Sequence, residues 1–230
     1  MGTVIEASRR RTIAVMQPYF IPYAGYFRLL AATDVFVIYD CVQFSRRGWL
    51  HRNKMHNAAG GLEWMTLPLK KAPQDVLIKD LEFRDGARQE FLNEARRFPA
   101  LNKIVADDDN EIASLLFDMS VPPADYIVRL LEWAAVRLDI PWTVLRSSTL
   151  DIDPAKRGEA RILAIAAKVN ATTYLNAPGG VDLYDQDNFR KDGIELRFLD
   201  DYTGYNHSIL ERLLTEDPAS IRAEIYSQLG

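Results

Sequence analysis

Asp40 closes an apolar run, residues 35–39, which reads as a buried strand. Its carboxylate is expected to emerge at the loop edge, where partial desolvation suits a general base. The alternative is a turn cap, or an ion pair with Arg46 or Arg47. Gln17 follows a second run, residues 13–16, and Pro18 holds it extended. Its amide could orient a substrate carbonyl or a ribose hydroxyl, or simply close the loop onto the sheet. Gln43 offers the same choice after the other strand. Cys41 could serve as an acyl carrier as its thiolate, although a lone cysteine is most often an inert small side chain.

Cations follow in a cluster: Arg46, Arg47, Arg52 and Lys54, then Lys70 and Lys71. Such runs are usually solvated, but guanidinium forks match a diphosphate, and Arg52 is the favoured gripping residue. A third group lies between residues 174 and 185. There a short strand runs into Asn176, Pro178, Gly179 and Gly180, whose backbone N–H groups could face an anion. Arg161, on the helix before it, could reach the same ligand or sit in a surface ion pair. The histidines, His51, His56 and His207, show no paired-ligand spacing and no cysteine partners, so no metal site is expected. Magnesium carried by nucleotide phosphates stays open.

These groups need elements to hold them. Apolar runs and alternation predict strands at 13–16, 35–39, 63–69, 76–83, 141–145, 172–175 and 194–199. Helical spacing predicts a short helix from Gly25 and helices over 89–97, 110–119, 124–138 and 156–169, with helical signals again from Ser208. Strand and helix alternate at both ends, which predicts an α/β fold with a mainly parallel sheet and helices on both faces. Residues 1–11 read as a flexible tail. Residues 12–230 read as one domain, with a mostly helical cap at about 87–139. Ligands of such sheets bind beyond the carboxyl ends of the strands, where Gln17, Tyr19, Tyr23, Tyr26, Asp40 and Gln43 lie.

Composition agrees with an enzyme acting on a small molecule. The 230 residues are 48% hydrophobic, enough for a full core. The net charge of −4 supplies no bulk positive field for nucleic acid. One cysteine excludes an internal disulfide and suits a reducing compartment. With no signal-peptide pattern and no membrane-length run, a cytoplasmic location without membrane insertion is expected.

Four separated motifs carry a resemblance. Q-P-Y-F-I-P-Y-A-G-Y-F, D-V-F-V-I-Y-D-C-V-Q-F, R-G-W-L-H-R-N and A-T-T-Y-L-N-A-P-G-G-V-D-L-Y-D stand in this order between about Ile13 and Leu199. Together they resemble the successive signatures of the WbqC-like protein family. The resemblance implies a role in surface-polysaccharide or secondary-metabolite biosynthesis. The implied chemistry is acyl or aminoacyl transfer onto an amino-bearing, often nucleotide-linked, substrate. Asp40, Gln17 and Gln43 are the expected catalytic set. The expected substrate contacts are Tyr19, Tyr23, Gly25, Tyr26, Arg46, Arg52, Asn53, Lys70, Arg161, Asn176, Gly179, Gly180 and Tyr184. The family more often shows a second acid where this chain has Cys41, which weakens any mechanism needing adjacent carboxylates.

Y-A-G-Y, residues 23–26, also stands where nucleotidylyltransferases and pantothenate-synthetase-like enzymes carry H-x-G-H. That similarity implies a Rossmann-type, HUP-like nucleotide-binding sheet. Tyrosine, with its pKa near roughly 10, cannot supply a histidine's positive charge to a phosphoryl oxyanion. Three functions remain open: amide-forming transfer, ATP-dependent activation of a carboxylate, and a non-catalytic binding or scaffold role in a polysaccharide pathway. An acyl thioester, or ATP with magnesium, is the donor side of the first two. An acyl-carrier protein and a second copy of the chain are the partners left open.

Overall fold

In the computed structural model, residues 10–106 and 111–229 are described. Most of the expected tail, residues 1–9, and the expected helix start at 110 lie outside them. In chain order the elements are β1 (Thr12–Met16), α1 (Ala24–Ala31), β2 (Val35–Ile38), β3 (Arg52–His56), β4 (Leu62–Thr66), α2 (Ala87–Ala95), α3 (Asn102–Val105), α4 (Glu111–Leu116), α5 (Pro123–Arg137), β5 (Val144–Arg146), α6 (Gly158–Lys168), β6 (Thr173–Asn176), α7 (Gln186–Lys191), β7 (Glu195–Phe198), α8 (Ile209–Thr215) and α9 (Pro218–Tyr226).

Five strands form one sheet in the order β5-β2-β1-β6-β7. Every neighbouring pair in it is parallel. Chain order reverses between β1 and β6, which makes that point the switch of a doubly wound, Rossmann-like sheet. The alternation of side chains explains why β1 and β2 are apolar throughout. Ala14, Phe36 and Ile38 enter a core with α1, α5, α8 and α9. Ile13, Val15 and Val37 enter another, with Ile162 and Ile165 of α6 and Phe189 of α7. Both faces are covered, so both sets of side chains must be apolar.

The middle helices bring Phe91, Leu101, Ile112, Leu116, Leu130 and Leu131 into the first of these cores. They therefore pack together with the sheet face.

Two expectations are corrected. Residues 76–83 are not a strand. They hold a 3-10 turn, Ile78–Asp80, and pair with their neighbours as isolated bridges, Gln43 with Leu77 and Leu69 with Phe83, rather than as a ladder. Pro68 has no N–H to extend a ladder there. The segment 62–66 pairs instead with Arg52–His56, as an antiparallel hairpin in which Lys54 faces Trp64. Its turn is fixed by the Asn57 side chain, which accepts from the N–H groups of Ala59 and Gly61. The crossover helix α7 also went unread, because Phe189 is its single buried residue.

Candidate active site

A cleft of about 690 Å³ opens beyond the carboxyl ends of β2 and β5 and beside the start of α6. Tyr39, Cys41, Gln43, Ser147, Ser148, Arg157 and Arg161 line it. Asp40 lies beneath it, under Ser147 and Ser148, and is 0% exposed. Four donors converge on that carboxylate. Ser147 Oγ (2.9 Å) and the Ser148 N–H (2.9 Å) donate to Oδ1, while Ser148 Oγ (2.7 Å) and Arg146 Nε (2.7 Å) donate to Oδ2. The expected emergence of Asp40 at the loop edge is thus corrected. Its register neighbour explains why: Ile38 lies opposite Arg146, so the residues after β5 fold over the residues after β2. A carboxylate offers about four lone-pair sites, and all are taken.

Two reactive atoms sit around this carboxylate. The Ser148 hydroxyl is bonded to Asp40 from the exposed side of the cleft. Cys41 Sγ lies 3.1 Å from Ser147 Oγ and 3.6 Å from the Arg161 guanidinium. The Ser147 hydroxyl also accepts from the N–H groups of Asp40 and Cys41, which locks the turn. Arg146 forks between Asp40 and Asp125. Burial works against its charge, but the hydrogen bonds it donates to both carboxylates, and their negative charge, outweigh that and hold its pKa above the usual guanidinium value.

The opposite wall is cationic. Arg161 is 6% exposed and donates through Nη1 to the Cys41 carbonyl (2.8 Å) and through Nη2 to the Pro154 carbonyl (3.1 Å). Its Nε is buried with no hydrogen-bond partner. An orphaned charged donor is costly unless something comes to accept from it. Arg157 and Gly158 start α6 beside it, so the positive end of that helix adds to the same wall. Asp75 and Asp151 line the cleft as well, giving it carboxylates besides the arginines. Tyr39 stays a neutral donor, since burial pushes its hydroxyl up to about 12 against the pull of Arg161.

Of the residues singled out in the sequence, Gln43 and Arg161 line this cleft and Asp40 underlies it. Gln43 Nε2 donates to the Gln74 carbonyl (2.7 Å). Gln17 stands at the end of β1, beside Tyr39, whose N–H donates to the Met16 carbonyl. Its side-chain amide has no hydrogen-bond partner among the described residues.

The glycine loop leaves β6 next to β1, so both segments emerge at the same sheet edge. Its residues do not line the cleft. Asn176 is buried and accepts from the Ala177 N–H (2.9 Å), Gly180 closes against the Asn176 amide, Gly179 has open space around it, and Tyr184 meets the Tyr174 hydroxyl at 3.3 Å.

The remaining candidates serve other contacts. Tyr26 is buried and donates to the Gln17 carbonyl, and burial raises its pKa well above the usual phenol value. Tyr19 packs on Tyr26, and Tyr23 on Tyr202, with ring centroids 5.6 Å and 5.4 Å apart. A side chain at Gly25 would strike the Tyr23 and Tyr202 rings, so this glycine admits the packed loop at 202. Asn53 is buried and donates to the Phe20 carbonyl (3.2 Å). Arg52 lies over Trp64 and donates to the Arg47 carbonyl (2.9 Å).

Arg46 and Lys70 line a separate groove of about 500 Å³ with His51, Lys71 and Arg84. There Arg46 is held by the Ala72 carbonyl and Lys70 by Glu82 (2.7 Å). A hollow of about 720 Å³ among the helices, between Phe83 and Ser120, gathers no comparable set of reactive groups.

Arg146, Ser147, Ser148 and Arg157 were missed from the sequence. The strand ending near 145 was visible, so the rule that ligands sit beyond strand ends could have found R-S-S as readily as Asp40.

A doubly wound α/β protein with a polar cleft at the carboxyl edge of its sheet is what fold and site define together. The chain belongs to the WbqC-like protein family, whose pattern matches residues 17–209. It is 25% identical over 201 residues to Uncharacterized protein Rv1507c of Mycobacterium tuberculosis (strain ATCC 25618 / H37Rv), covering 85% of this chain and 84% of that one. No solved structure matches it. Among the described residues, no helix is long and apolar enough to cross a membrane.

Proposed function

We propose that this WbqC-like protein is a transferase that forms an amide, carrying an acyl or aminoacyl group onto the amine of a small metabolite of the nucleotide-sugar type. The observation that carries the reading is the hydrogen-bonded pair Ser148 Oγ and Asp40 Oδ2 (2.7 Å) at the base of the cleft. With its lone pairs filled, Asp40 has no site for an amine to reach directly. A proton can still arrive through the bond that already exists. The amine nitrogen attacks the thioester carbonyl, the C–N bond forms and the C–S bond breaks. The amine proton passes to Ser148 Oγ as the Ser148 proton moves to Asp40, and the same pair then returns a proton to the departing thiolate, which leaves as a thiol and restores the Asp40 carboxylate. Arg157 and Arg161 line the cleft and suit phosphate oxygens, and Asp75 and Asp151 suit a protonated amine before reaction.

The adenylyl-transfer alternative gains nothing from Tyr23 and Tyr26, which are both engaged in packing.

The test is incubation of the purified protein with acyl thioesters, or with amino acids and ATP, together with amino-sugar nucleotides, followed by mass spectrometry. A new amide is expected, formed about 100-fold more slowly by Ser148→Ala. Ligand binding without any amide would favour the scaffold role. Pyrophosphate released only when a carboxylic acid is present would favour carboxylate activation.

A further inference from the structure

The hairpin β3–β4 and helix α8 meet at His56, His207 and Glu211, whose ligand atoms all lie within 4.8 Å of one another. The sequence does not announce this set, because His56 ends a strand while His207 precedes α8 and Glu211 lies in its first turn, far along the chain. His56 Nδ1 is 3.1 Å and 3.2 Å from the two Glu211 carboxylate oxygens, and His207 Nε2 is 4.0 Å from Oε2. The two imidazole rings stand edge to face, 5.0 Å between centroids.

Glu211 itself is the anomaly. Its carboxylate is on a residue only 7% exposed. The adjacent Arg212 turns away and spends its guanidinium on Glu216 and Glu224. Besides the two histidines, the His56 N–H is what the carboxylate accepts from. A buried carboxylate with no permanent cation is expensive. Two imidazoles and one carboxylate, with ligand atoms this close together, are the donor set that a divalent transition ion takes up.

We infer that His56, His207 and Glu211 form a binding site for a divalent transition ion, zinc being the best fit, separate from the cleft beyond β2 and β5. Bonds of about 2.0–2.1 Å set tetrahedral edges near 3.3 Å. The His56–Glu211 edge already has that length, and the His207 edges need a shift of about an ångström. His56 keeps 43% of its side chain exposed, so the remaining positions open to water.

The ion would act as a clip. The start of α8 is already tied to the hairpin by the Ser208 N–H on the Lys54 carbonyl (3.0 Å) and to the loop before α1 by the Ile209 N–H on the Pro22 carbonyl (2.8 Å). The Ser208 hydroxyl holds the Ile21 carbonyl (3.0 Å). Ile21 sits at φ 39°, a strained value for a β-branched residue. A metal here would fasten the hairpin to the start of α8, beside that strained turn.

The test uses the full chain, stripped with a chelator and titrated with zinc sulfate, with bound metal counted by elemental mass spectrometry after gel filtration. One zinc per chain and a Tm that climbs with zinc are expected. His56→Ala, at a half-exposed position that leaves folding intact, should bind at least about tenfold more weakly and lose the Tm response, while His51→Ala keeps both. Glu211→Gln, checked for folding by circular dichroism, should behave as His56→Ala does. Zinc uptake by the parent chain no greater than that of His56→Ala would overturn the assignment. So would full uptake by a His56→Ala, His207→Ala double variant.

Discussion

Arg146 Nε donates to Asp40 Oδ2 at 2.7 Å and ties the end of β5 to the end of β2. This bond, with the two serine hydroxyls and one backbone N–H, is what allows a carboxylate to be fully buried at the mouth of the sheet. Removing the acceptor takes a partner from all four donors at once and leaves the buried Ser147 hydroxyl worst placed to replace it. Asp40→Ala should therefore lower unfolding stability by about 3 kcal/mol, and Asp40→Asn by less, since it keeps the volume and one acceptor oxygen. Urea midpoints read both. An Asp40→Ala midpoint equal to that of the parent chain would contradict the account.

Arg161 lines the cleft, and its Nε is buried without a partner. Replacing it with Gln should weaken binding of an anionic substrate about tenfold to a hundredfold, the worth of one charged hydrogen bond. Lysine, which lacks the planar fork, should recover only part of the loss. Calorimetric titration with nucleotide sugars measures this directly, and unchanged affinity in Arg161→Gln would remove the arginine from the site.

The glycine pair separates cleanly. Gly179 has nothing within 4 Å of where a side chain would start, whereas a methyl at Gly180 would collide with the Asn176 amide. Asn176 cannot swing aside without breaking its bond to the Ala177 N–H. Gly180→Ala should cost about 1–2 kcal/mol and Gly179→Ala almost nothing. Equal thermal shifts for the two would show that the loop gives way freely.

His51 sets an acid limit. Burial, aided by Arg52, lowers its pKa to about 4, and its Nδ1 is buried without a partner. The unfolded chain, with a histidine near 6.5, binds more protons between these values. Stability contributed by the neutral ring is thus complete above about pH 6.5 and falls as the pH drops toward 4. His51→Phe should flatten the stability profile over that window while leaving it unchanged at pH 8. A parallel profile in the variant would assign the acid sensitivity elsewhere.

Much of this arrangement could be read from residue order. β1, β2 and the alternation of strand and helix followed from apolar runs, and the family from four motifs. β3 could not be read in the same way: R-N-K-M-H buries only Asn53 and Met55, so its period-two signal is mostly polar. The Asp40 cluster was half legible, since a strand-end acid is visible in one dimension while its burial under Arg146 and Ser148 depends on a partner more than 100 positions away. His56 and Glu211 were invisible for the same reason, being 155 positions apart.

The parallel pairing of β2 with β5 spans everything from Ile38 to Val144, including the hairpin and α2 to α5. Closing so long a loop carries an entropic penalty, and contacts of high sequence separation form slowly. During synthesis on the ribosome, the first two strands wait for their neighbour until over half the chain has emerged. The buried carboxylate beneath the cleft accordingly cannot gain its four donors before Ser148 has emerged.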